Sequence, residues 1–233
     1  MSLEVLALRL DAAVQPGDDL VALLEIALRA AGATLQDQDV MVVTSKVIAK
    51  AEGRLVKVRD GADKVRLVES EARRILRRRG DLRITETHHG FVNANAGIDL
   101  SNAEPGTAVL LPKDPDRSAR RFRADVRRAL GVEVGVVITD TFGRAWRHGV
   151  CDVAIGAAGV RALLDLRGTP DANGRLLEVT EVAIADEIAA AANLVMGKAT
   201  ATPFCRLRGL DASLLGPGAA SDLVRRPSDD LFR

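Results

Sequence analysis

The chain has 233 residues, 47% of them hydrophobic and 28% charged, with 20 Gly and 8 Pro, a balance that excludes disorder and fibrous structure and allows one or two compact domains. Its 33 basic and 32 acidic side chains leave a formal net charge of +1, which argues against a surface devoted to nucleic acid or anionic lipid, and no apolar run reaches the roughly 18 to 20 residues of a membrane span. The opening MSLEVLALRLDAAVQPGDD carries no basic flank or cleavage pattern, and Cys151 and Cys205 form no C-x-x-C pair, so a cytoplasmic location without disulfides or a thiolate zinc site is expected.

In chain order, Leu20, Leu23, Leu24, Ala27, Leu28 and Ala31 recur at helical spacing, with Asp18 as the expected cap and Gly32 as the stop. DVMVVT at 39–44 is too short for a typical helix and rich in β-branched residues, so it predicts a buried strand. A basic helix is expected over 62–79, then strands at 82–87 and 109–111 flanking a Gly/Asn-rich passage. Residues 118–130 have helical spacing ended by Gly131, and EVGVVIT at 133–139 predicts a buried strand with Asp140 and Thr141 at its tip. A helix over 179–196 ended by Gly197 and a strand at 203–207 complete the pattern. Helices and strands alternate without a repeat, which predicts mixed sheets with flanking helices, of the α/β or α+β class, arranged as two lobes sharing a cleft.

The glycine-rich phosphate loops are missing, since Gly197-Lys198 is followed by Ala199 and no G-x-G-x-x-G follows a strand. Polar residues gather instead at four places. In VTSKVIAKAEG, 43–53, the Ser45 hydroxyl and the Lys46 and Lys50 ammonium groups suit phosphate oxygens; a solvated pair at a helix start is the alternative. In GFVNANAGIDLSN, 90–102, Asp99 suits a hard cation, while Asn and Gly are equally the chemistry of tight turns. His88 and His89 precede this block, and neighbours on a strand face opposite ways, so at most one would face a site. The third place is TDTFGRAWRHG, 139–149, where Asp140 and Thr141 offer oxygens to a divalent cation and Arg144 and Arg147 offer planar forks for carboxylate or phosphate. A strand-to-loop turn with Arg and Trp packed at the surface is its alternative reading. Last, NLVMGKATATP at 193–203 lets a ligand approach the backbone closely at Gly197, with Lys198 adding charge, unless it is an ordinary helix cap.

These passages together resemble the coenzyme F420-0:L-glutamate ligase (coenzyme F420 gamma-glutamyl ligase) family from end to end. The blocks that carry the likeness are PGDDL at 16–20, VTSKVIAKAEGRLV at 43–56, NANAGIDLSN at 93–102, LLPKDPDRSARRFR at 110–123, ITDTFGRAWRHGVCDVAIGAAG at 138–159, LVMGKA at 194–199 and the closing DLFR. The resemblance implies an α+β fold, a single ligase domain over 1–233 without a flavin-binding extension, and a homodimer. It implies GTP-dependent addition of L-glutamate to coenzyme F420-0 through an acyl phosphate, with further γ-linked glutamates in later rounds. Mg²⁺ or Mn²⁺, with K⁺ as a further cation, are the cofactors it implies. By motif, Asp99, Asp140 and Thr141 would bind metal, and Ser45, Lys50 and Asn102 would contact GTP, with Lys46 and Gly197 beside them. Arg144, Arg147 and the basic stretch 117–123 are the expected partners of the anionic acceptor. The sequence departs from the family pattern at Ala12-Ala13, at Ala145 in DTFGRAWR and at Lys198, where relatives tend to carry an acid. The competing readings are a metal-dependent nucleotide phosphohydrolase and a basic nucleic-acid-binding module built on the Arg-rich helices.

Overall fold

Val40 and Val42 are buried on one side of their strand, Met41 and Val43 on the other, so this β-branched run is covered on both faces. The computed structural model describes residues 2–100, 104–198 and 200–231. Among these, the main sheet has five strands in the order β1 (Glu4–Leu8), β12 (Phe204–Arg208), β2 (Val40–Thr44), β8 (Gly135–Arg144) and β9 (Arg147–Ala158). Only β2 and β8 run parallel; the other neighbours in this sheet are antiparallel. α1 (Leu20–Ala30) and α4 (Pro115–Leu130) cover one face over Met41, Val43, Val136, Ile138 and Phe204. α5 (Ile184–Met196) covers the other over Val40, Val42, Val137 and Cys205.

Between α2 (Ser45–Ala51) and α4 the chain builds a smaller layer from α3 (Gly61–Glu71), the pair β3 (Leu55–Lys57) with β7 (Thr107–Val109), and the meander β4 (Ala72–Arg79), β5 (Leu82–Thr87), β6 (Val92–Ala94). β10 (Leu164–Asp165) and β11 (Glu181–Val182) form a short antiparallel pair beside α5. Several sheets with flanking helices are the α+β arrangement expected from the sequence.

Local chemistry sets the element ends. Asp19, one residue past the expected Asp18, caps α1 by accepting from the backbone N–H of Val21 at 2.9 Å, while Asp18 accepts from Gln15 at 2.7 Å. Asp114 caps α4 by accepting from Arg117 at 2.9 Å, Pro115 opens the helix, and Gly131 closes it at φ +71°. The start of α4 lies so close to β9 that a Cβ on Gly156 would fall 2.4 Å from the Pro115 carbonyl oxygen.

Three expectations are corrected. The basic helix over 62–79 stops at Glu71, and Arg73, Arg74, Arg77, Arg78 and Arg79 lie on β4. On a helix these like charges would crowd adjoining turns; the strand splits them between two faces and brings Arg73 and Arg74 to the buried Glu86 of β5 at 3.5 and 2.9 Å. Gly80 at φ +56°, with Asp81, makes the two-residue turn that pairs Arg79 with Leu82. The helix over 179–196 begins only at Ile184, because Glu181 and Val182 pair with Leu164 and Asp165. Finally, β8 does not end at Thr139 but runs to Arg144 and turns into β9, so Asp140 and Thr141 lie within a long strand.

Candidate active site

β2 pairs with β8 as far as Thr44 and Thr139, then turns into α2, whereas β8 continues. The ends of parallel neighbours are where open sheets hold ligands, and here they join two of the four polar passages. Ser45, first residue of α2, donates its hydroxyl to Asp140 Oδ1 at 3.0 Å across 95 residues of sequence. A cavity of about 440 Å³ opens over this bond, lined by Ser45, Lys46, Lys50, Thr139, Asp140, Thr141, Asp152, Gly197 and Lys198, with Ala12, Ala13 and Thr202 at its margin. Main-sheet strands and their connections supply this lining.

The electrostatics of the floor are those of crowded acids. Burial pushes the Asp140 carboxyl up to about 6, and the neighbouring Asp152 charge adds to the rise, while the Ser45 hydroxyl, the Thr141 backbone N–H and the Lys46 ammonium oppose it. Asp152, on β9 directly opposite Thr141, is 5% exposed. It accepts the Thr141 hydroxyl at 2.6 Å and the Lys198 ammonium at 2.7 Å, and Lys198 also donates to the Thr141 hydroxyl oxygen. The Thr139 hydroxyl, also in the lining, is buried and has no hydrogen-bond partner among the described residues. At the other side, Lys46 forms an ion pair with Asp99, whose backbone exchanges hydrogen bonds with Val109 at 3.0 and 2.8 Å.

The donors are carboxylates and hydroxyls, the set that hard divalent cations take. An unpartnered buried hydroxyl and an acid held above its usual range both fit a positive charge placed there. Among the described residues, no three acidic, imidazole or thiol groups already converge as a ready cluster. The residues therefore fit a cation that also draws on bound substrate oxygens.

The structure brings together Ser45, Lys46, Lys50, Asp140, Thr141 and Gly197, with Asp99 held beside them through Lys46. It does not bring in Arg144 and Arg147, which face each other across the exposed hairpin tip, where the Arg144 guanidinium donates to the His148 carbonyl at 2.6 Å. Neither His88 nor His89 lines the cavity; their rings bond the backbone carbonyls of Ser70 and of Pro112 and Lys113. In the basic stretch 117–123, Arg123 is spent on the Val134 carbonyl and Glu133 at 2.8 Å each. Asn102 lies outside the described residues. The residue that sequence reasoning missed is Asp152, although an acid inside the apolar run VCDVAIGAA was a signal of a buried charge with a purpose.

Comparisons with known proteins agree with this architecture. The profile of the family described as F420-0:Gamma-glutamyl ligase matches residues 10–209. The coenzyme F420:L-glutamate ligase of Methanopyrus kandleri is 45% identical over 96% of this chain and 95% of its own. The proteins of the same name from Methanothermobacter thermautotrophicus and Methanocaldococcus jannaschii are 40% and 39% identical, over 94% and 85% of this chain and 94% and 86% of their own. On this match of profile, relatives and architecture, the chain belongs to the F420-0:gamma-glutamyl ligase family.

Proposed function

We propose that the chain joins L-glutamate to coenzyme F420-0 with GTP as the phosphoryl donor. The observation that carries this reading is the Ser45–Asp140 bond, which sets the Ser45 hydroxyl and the lysines of α2 against a floor of acids in one cavity. A carboxylate oxygen of F420-0 attacks the γ-phosphorus, the bond from that phosphorus to the β,γ-bridging oxygen breaks, and GDP leaves with the electron pair. The glutamate amine then attacks the acyl carbon, loses a proton, and phosphate departs, leaving an amide. Further glutamates added through γ-linkages repeat the same two steps.

Both reactants of the first step are anions, so the barrier is largely electrostatic. Ser45 and Lys50 bind the polyphosphate of GTP, and Lys46, tied to Asp99, lines the same cavity. Gly197 lines the cavity at φ +61°, a backbone conformation that side chains rarely adopt and that here turns the chain out of α5 toward Lys198. Asp99, Asp140 and Thr141 would hold Mg²⁺ or Mn²⁺, which when bound screens the repulsion between carboxylate and phosphate. Arg144 stands four residues along β8 from Asp140, about 13 Å away at strand rise. It and Arg147 therefore contact the outer part of the acceptor and not the reacting atoms. The reading includes a homodimer, which the exposed Trp146 and Val150 of the hairpin suit.

The test mixes purified chain, GTP, Mn²⁺, L-glutamate and F420-0 and follows products by mass spectrometry. Stepwise glutamyl additions with one GDP released per amide are expected. Phosphate release without amide would replace the ligase reading with a nucleotide phosphohydrolase.

A further inference from the structure

Asp152 is a buried carboxylate, and a buried carboxylate without a counter-charge would take up a proton or destabilise the fold. Its counter-charge is not on a neighbouring strand. It comes from Lys198, two residues past the end of α5, whose ammonium bonds both Asp152 Oδ1, at 2.7 Å, and the Thr141 hydroxyl oxygen. The Lys198 side chain is 53% exposed while that of Asp152 is 7% exposed, so a side chain that water would otherwise hold reaches down to the floor and stays there.

We propose that the Lys198 ammonium is a tethered cation over Thr141 and Asp152, so that this active site takes one divalent cation, at Asp140, and not two. An ammonium already bonded to Asp152 Oδ1 and to one lone pair of the Thr141 hydroxyl repels a second dication from that place, while the other Thr141 lone pair stays open to the ion at Asp140. Asp140, whose carboxylate bonds Ser45 and not Lys198, is left for the metal. This deepens the ligase reading and rests on it, since a cation at Asp140 is part of that reading.

Equilibrium Mn²⁺ binding to the chain saturated with GDP, with free Mn²⁺ measured by electron paramagnetic resonance, tests it without any turnover. The wild-type chain should bind one Mn²⁺, Lys198→Arg should also bind one, and Lys198→Asp should bind two. Melting followed by circular dichroism should show Mn²⁺ restoring stability that Lys198→Asp loses, because the ion replaces the lost charge on Asp152. Two ions on the wild-type chain, or a single ion on Lys198→Asp, would overturn the inference and leave the ligase reading standing. Mn²⁺ binding absent from the wild type would remove the metal reading of Asp140 and this inference with it.

Discussion

The hydroxyl of Ser45 donates to Asp140 at 3.0 Å, linking the residue that follows β2 to the first residue of β8 that reaches beyond its parallel partner. This bond closes the floor of the cavity. Because burial pushes Asp140 up to about 6, the bond joins a hydroxyl to an acid that ionises at the edge of the neutral range, and its chemistry can be probed through pH.

In metal-free protein, Asp140 carries its proton in both folded and unfolded chains below its usual 3.8, and the folded chain holds that proton up to about 6. Stability tied to the proton is fully present below 3.8 and is lost as pH rises through about 6, a loss of up to about 3 kcal/mol. Asp140→Asn should therefore raise the melting temperature at pH 8 in EDTA and change it little at pH 4. The same variant should abolish amide formation. Equal melting shifts at both pH values would show that the acid is not strained in the folded chain.

Removing the acid opposite Thr141 tests the second half of the floor. Asp152→Ala should lower stability by about 1–2 kcal/mol through the loss of its bonds to Thr141 and Lys198, a modest cost because the ammonium can return to water. The rate of ligation should fall at least tenfold, as Lys198 is no longer fixed. Denaturant melts and single-turnover kinetics measure the two effects separately.

Arg144→Ala should raise the Michaelis constant for the acceptor far more than that for GTP. The guanidinium stands at the outer hairpin, bonded to the His148 carbonyl, away from the cavity floor. Equal effects on both constants would remove Arg144 from acceptor binding.

Gly156→Ala should destabilise the chain by about 1–3 kcal/mol, because overpacking a fixed backbone contact forces the two elements apart. The added carbon would meet the Pro115 carbonyl oxygen at 2.4 Å, and a backbone atom at the start of α4 cannot swing away. Thermal melting of the variant checks this, and ligation should slow only in proportion to unfolded protein.

Much of the architecture was legible in the sequence, and particular residues show why. β2 and α4 announced themselves because each was specified locally, the strand by a run of β-branched residues and the helix by Gly131, which takes the left-handed conformation that ends it. β4 was not legible because its arginines matched a helical face as well as a strand, and the deciding term is the distant Glu86. β9 escaped because its outer end, 147–150, is exposed and the buried acid Asp152 interrupts the apolar run that follows. The site divided in the same way. Ser45, Lys50, Asp140 and Thr141 were found because each stands beside an apolar run, whereas Arg144 and Arg147 were placed with them by proximity in sequence, which says nothing of distance along an extended hairpin. Asp152 is held by Thr141 and Lys198, and its partnership with Lys198 spans 46 residues.

β8 outlasts β2, reaching Arg144 while the pairing stops at Thr139. Its free length is stiffened by the antiparallel ladder to β9, with Thr141 also tied to Asp152 and Lys198 at the cavity floor. The hairpin is thus a rigid yardstick projecting from the reaction centre, with markings set by peptide geometry. Side-chain changes at its far end would select among ligands by their reach while leaving the zero of the scale where it is.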